Sequence, residues 1–138
     1  MYTSEKAELS LKKFSRALGR LEEAVMSPPS PLQSDAVLQR FEFTFELCWK
    51  AIRIHLSEKL GIEISSPKET LKEAFRHGLI HAAEENPCLQ MLEDRNRSTH
   101  VYDEHDALEI FNRVCSGHLP LLKTLMSRLR NPDSVSPT

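Results

Sequence analysis

Three observations predict an all-α fold, an up-and-down antiparallel bundle of four main helices with a short extra one. Apolar residues recur three and four apart along most of the chain. Only 4 of its 138 residues are glycine. Ser-Pro and Asn-Pro pairs stand where helices should begin or stop. The length suits one domain with its own core, assigned to residues 1–131, followed by a disordered Ser/Pro tail at 132–138.

The first helix is expected over roughly 5–27, where Leu11, Phe14, Leu18, Leu21 and Val25 form an amphipathic stripe. Ser27-Pro28-Pro29-Ser30-Pro31 ends it with a stiff connection. The second runs from about 32 to 60 and stops at Gly61. At about 100° per residue, Leu38, Phe41, Phe45, Cys48, Trp49, Ile52 and Leu56 share one broad side. Ala36, Phe43, Leu47 and Ile54 fall nearly opposite. Two apolar faces on one helix have two readings: helix two is central with neighbours on both sides, or the second stripe meets another chain. The second is preferred, with Phe43, Leu47 and Ile54 in a homodimer interface.

Ser66-Pro67-Lys68-Glu69 supplies an N-cap, a proline at the first helical position and a capping-box glutamate for a short third helix that stops at Gly78. Lys68, Lys72, Arg76, Glu69 and Glu73 read as its solvated face. Asn86-Pro87 opens a fourth helix carrying Leu89 and Leu92. The fifth begins near Asp103 and carries Leu108, Phe111, Cys115, Leu122, Leu125 and Leu129. Pro120 removes a donor inside it, which predicts a kink near Gly117.

A net charge of −2, with 40% hydrophobic and 28% charged residues, describes an ordinary globular chain and excludes a bulk electrostatic grip on nucleic acid. The 3 cysteines, Cys48, Cys88 and Cys115, form no Cys-x-x-Cys pair and read as reduced thiols in a cytoplasmic protein; Cys48 and Cys115 sit on apolar faces expected to be core. No secretory h-region and no membrane-length apolar run is visible. A metal is not expected, since Gly78 interrupts the His77/His81 spacing and His105 and His118 show no companion pattern of cysteine or carboxylate. No other cofactor is expected, and the lack of a glycine-rich phosphate loop argues against a self-contained nucleotidyltransferase or kinase.

Chemistry concentrates in Asp94-Arg95-Asn96-Arg97-Ser98-Thr99-His100-Val101-Tyr102-Asp103, where a helix should end. Arginine offers a planar fork for phosphate, and histidine moves protons near neutral pH. Asn96 and His100 are four apart and share a face if the helix holds to His100. Arg95 and His100 are five apart, roughly 140° around the axis, so one site takes both only if the helix frays or a second chain completes it. Asp103 is placed to cap the last helix. The bland alternative pairs Arg95 with Asp94 or Glu93 and leaves His100 capping carbonyls.

Arg95, His100 and Tyr102 resemble the Arg-x4-His-x-Tyr signature of HepT-type toxins. The surrounding residues, with Arg40-Phe41-Glu42-Phe43-Thr44-Phe45-Glu46-Leu47 and Lys72-Glu73-Ala74-Phe75-Arg76-His77-Gly78-Leu79-Ile80, are similar to the nucleotidyltransferase substrate-binding protein family. Thr99 stands where that family usually has serine, and Cys88 where it often has an aromatic residue. The resemblance implies a toxin of a two-gene pair, a metal-independent ribonuclease with Arg95 and His100 catalytic and Asn96, Arg97 and Thr99 in support. It also implies a partner, a minimal nucleotidyltransferase antitoxin that transfers AMP to Tyr102. The alternative is a non-catalytic substrate-binding subunit of a two-subunit nucleotidyltransferase.

Overall fold

Side-chain caps set the helix ends at the expected punctuation. The computed structural model describes residues 4–99 and 103–132. Helix α1 spans Glu5–Val25, and Ser4 caps it by accepting the Ala7 amide at 3.0 Å. Helix α2 spans Pro31–Leu60; Ser30 accepts the Gln33 amide at 3.0 Å, and Pro31 occupies the first turn, where its missing N–H costs nothing. Gly61 ends α2 in the left-handed region at φ 67°, which a residue without Cβ enters freely. Helix α3 spans Pro67–Arg76 under the Ser66 cap. The chain then turns at Gly78, φ 82°, and the Leu79 and Ile80 amides fold back onto the Ala74 carbonyl.

A single 3₁₀ turn, Ala82–Glu84, leads into α4, Glu85–Ser98. Asp103 caps α5, Glu104–Arg113, through the His105 amide at 2.8 Å. The helix does not simply bend at Gly117: it passes through a π segment, Val114–His118, before α6, Leu119–Arg130. Pro120 lacks the N–H that would continue the α ladder, and the wider turn accommodates that loss.

Cross-helix bonds give the topology. Gln33 reaches the Ala24 carbonyl, Arg40 that of Arg20 and Thr44 that of Ala17, so α2 runs antiparallel to α1. Lys123 pairs with Glu22 and Arg130 with Ser15, so α6 is antiparallel to α1 as well. Arg97 meets Asp106 while Asp94 meets Arg113, which sets α4 against α5 in the opposite sense. The result is the expected up-and-down bundle, with α3 as the short extra helix.

Phe14, Leu21, Phe41, Phe45, Ile52, Met91, Ile110, Leu122 and Leu125 close the core. Each such side chain contributes about 1.5–3 kcal/mol on burial, which helical propensity alone could not supply. The broad stripe of α2 is buried as expected apart from Leu38, which is half-buried. Of the opposite stripe, Phe43 is 62% exposed, while Leu47 and Ile54 are half-buried. Cys48 and Cys88 are buried, but Cys115 is only partly so, a correction to its expected core position. Among the described residues no helix is long and apolar enough to cross a membrane. Positions 133–138 of the expected tail lie outside the described residues.

Candidate functional site

The last turn of α4 sends consecutive side chains to different neighbours. Asp94 is fully buried and faces the α5–α6 helix; Arg95 faces α2; Asn96 and Arg97 border an open cleft. Helical geometry, about 100° per residue, produces this division without any irregularity in α4.

Asp94 accepts a bidentate fork from Arg113, Nε to Oδ2 and Nη2 to Oδ1, both at 2.7 Å. His118 Nε2 lies 2.7 Å from Oδ2, and Gln90 Nε2 donates to Oδ1 at 3.0 Å. Burial by itself would raise the Asp94 pKa. The bonds from His118, Arg113 and Gln90 outweigh it and hold the carboxyl well below the usual carboxylate range. An ionised carboxylate only accepts, so His118 Nε2 is the nitrogen that carries hydrogen. The His118 ring stacks on Phe41 of α2, centroids 5.2 Å apart. In return, Asp94 raises the pKa of Arg113.

Arg95 pairs across the bundle with Glu46 of α2 and donates to the Asn96 side chain at 3.0 Å. Glu46 also accepts from the Trp49 indole at 2.9 Å and lies 3.5 Å from Lys50. Burial would raise the Glu46 pKa, but the Trp49 bond, with Arg95 and Lys50, lowers it. Arg95 pairs with Glu46 where the bland sequence alternative has Asp94 or Glu93; the other half of that alternative, His100 capping carbonyls, lies outside the described residues. A guanidinium has five N–H donors, and these contacts leave others for a phosphate.

Arg97 pairs with Asp106 at 3.3 Å on the rim of a cleft of about 620 Å³, lined also by Lys68, Leu89, Leu92, Glu93 and Asn96. Thr99 donates to the Asn96 carbonyl at 2.9 Å and closes the helix. His100 and Tyr102 lie outside the described residues, between Thr99 and the Asp103 cap. Of these residues the structure joins Arg95 to Asn96 and Thr99 to the Asn96 carbonyl, while Arg97 turns to Asp106 instead. Among the described residues no group of His, Cys, Asp and Glu could hold a metal ion.

Sequence reasoning missed Asp94, Arg113, His118 and Glu46. The sequence weighs His118 and His105 only as metal ligands; in the structure each has a carboxylate neighbour, His118 bonding Asp94 and His105 lying 3.0 Å from Glu109. One signal was present, since a histidine next to Leu119, Leu121 and Leu122 needs a polar partner if that face is buried.

The profile of the family described as "Nucleotidyltransferase substrate binding protein like" matches residues 9–131. A crystal structure of a Thermus thermophilus protein superposes with a TM-score of 0.80 at 39% identity, over 85% of this chain and 98% of that one. A tri-AMPylated Shewanella oneidensis HEPN toxin in complex with MNT antitoxin superposes at 0.76 with 16% identity, over 94% and 99%. A toxin–antitoxin structure with AMP-PNP gives 0.73 and 16%, over 92% and 99%. At 16% identity the last two share the fold. No match is found among curated proteins.

Proposed function

We propose, for a chain that belongs to the nucleotidyltransferase substrate-binding-protein-like family, the role of a HepT-like toxin neutralised by a partner nucleotidyltransferase. The observation that carries the reading is Arg95: a cation fixed by Glu46 and Asn96, with donors to spare, five residues before His100 and seven before Tyr102 in the sequence. In this reading the protein is a cytoplasmic, metal-independent endoribonuclease. A base removes the 2′-hydroxyl proton, the 2′-oxygen attacks phosphorus, and the 5′-oxygen leaves with a proton from an acid. Arg95 holds the charge developing on the phosphoryl oxygens, with Arg97 in support and Asn96 and Thr99 shaping the turn.

His100 is the acid or the base. Each chain has one such histidine, so a homodimer through Phe43, Leu47 and Ile54 offers a second. The partner transfers AMP to Tyr102: its oxygen attacks the α-phosphorus of ATP, pyrophosphate leaves, and the phenolic proton is lost. The added phosphodiester carries a negative charge and competes for Arg95. The fold-level neighbour that is tri-AMPylated and bound to an MNT antitoxin supports this form of control.

Expression alone and with the partner tests the proposal. The parent should cleave RNA and slow growth only when alone, and Arg95→Ala and His100→Ala should each lower the rate by a factor of about 10²–10⁴. Mass spectrometry after incubation with ATP, Mg²⁺ and the partner should find AMP on Tyr102 and none on Tyr102→Phe. The second reading, a non-catalytic substrate-binding subunit, draws on the cleft beside Asn96 and Arg97, whose Leu89 and Leu92 floor suits a small molecule. A parent that never cleaves RNA but binds a nucleotide there would favour it.

A further inference from the structure

We propose that Asp94, Arg113 and His118 are positioning residues for Arg95, and that the π segment is what lets them act together. Arg113 and His118 are five residues apart, and on an α-helix their side chains would diverge by roughly 140°. One carboxylate could not then meet both. The i→i+5 turn of Val114–His118 brings residues five apart round to one side. Both side chains consequently reach Asp94 at 2.7 Å.

Asp94 immediately precedes Arg95. Its carboxylate is held by Arg113 and His118 from the neighbouring helix and by Gln90 one turn back, bonds that oppose rotation of the last turn of α4. Arg95 is thereby aimed at α2, where Glu46 receives it. Helix α2 braces both ends of the arrangement: Phe41 lies against the His118 ring, and Trp49 and Lys50 hold Glu46. Pinning Asp94 on one side of α4 therefore fixes the direction in which the guanidinium presents its remaining donors on the other.

The inference rests on reading Arg95 as the cation that holds a scissile phosphate, and two readouts keep the ideas separate. Arg113→Lys keeps the charge and loses the fork. His118→Leu keeps an apolar contact with Phe41 and loses the donor, while His118→Gln restores an N–H. Arg113→Lys and His118→Leu should stay helical by circular dichroism yet lose about 10²-fold in kcat for RNA, with KM near the parent's. His118→Gln should recover most of that loss. In parallel, the ¹⁵N-resolved guanidinium signals of Arg95 should shift in both impaired variants and return in His118→Gln. Parent-like cleavage in Arg113→Lys and His118→Leu, or equal loss in His118→Gln and His118→Leu, overturns the proposal. If the parent itself cleaves no RNA, the ribonuclease reading falls and the nuclear resonance arm decides alone. Unmoved Arg95 signals in both impaired variants then overturn the positioning role.

Discussion

Asp94→Ala should be among the most destabilising single substitutions in this protein outside the apolar core. The carboxylate is fully buried and takes hydrogen bonds from Gln90, Arg113 and His118. Its removal leaves those donors unequal. The Arg113 side chain is 32% exposed and can turn to water, whereas that of His118 is 5% exposed and keeps a buried N–H without a partner. An orphaned buried donor costs about 1–3 kcal/mol, and breaking a buried pair about 3–5 kcal/mol in all. Since Arg113 recovers hydration, the lower end, about 3 kcal/mol, is expected. For a chain of this length that lowers Tm by roughly 10 °C. His118→Leu should cost less, about 1 kcal/mol, because it removes the donor with its demand and leaves Asp94 held by Arg113 and Gln90. Urea unfolding followed by helical circular dichroism, with parent and variants sharing one m value, measures both. If Asp94→Ala costs no more than His118→Leu, the carboxylate is not what organises these groups.

Acid should expose the same carboxylate. Its folded pKa lies below its unfolded value, so unfolding takes up a proton between the two and stability rises with pH there; the contribution is full above about pH 4–5 and drains below about pH 3.9. The stability gap between parent and Asp94→Asn should narrow on titration from about pH 6 to about pH 3, and a constant gap would contradict this. Glu46→Gln should change stability by no more than about 1 kcal/mol, since the Arg95 pair is partly solvated, yet alter RNA cleavage or affinity by freeing Arg95. A variant indistinguishable from the parent in both would remove Glu46 from the site. Phe43→Glu with Leu47→Glu should convert a dimer to a folded monomer by light scattering, and a parent already monomeric at micromolar concentration would reject that interface. Cys115, partly exposed, should react first with a thiol reagent. Cys88, pushed up to about 12 by burial and the Glu84 charge, and Cys48, also raised by burial, should react only on unfolding.

What was legible in the sequence was local. Ser4 and Ser30 aside, the caps at Ser66 and Asp103 and the stop at Gly61 announced themselves through residues within a turn of each helix end. The buried stripe of α2 followed from periodicity, and Arg95 to Thr99 were legible as a charged helix end. Gly117 and Pro120 signalled an interruption, but whether the chain kinks or widens depends on what the following helix must reach. That target, Asp94, is 19 residues from Arg113 and 24 from His118. Glu46 is 49 residues from Arg95. Pairings of that range are decided by packing, and no periodicity within one helix encodes them.

The sole tryptophan of the chain has a consequence for how such a protein can be watched. The Trp49 indole donates to the same Glu46 oxygen that Arg95 engages, and the Arg53 guanidinium lies 5.2 Å from its ring centroid. Any anion that draws Arg95 off Glu46 changes the charge felt along the indole dipole. The emission of an unlabelled protein should therefore shift as that ion pair opens, with no competing indole to obscure it. Lys50 and Arg53 flank the same turn, so salt should move the baseline in a way that Glu46→Gln removes. The bundle thus carries its own optical probe, joined to Arg95 through the one carboxylate that both engage.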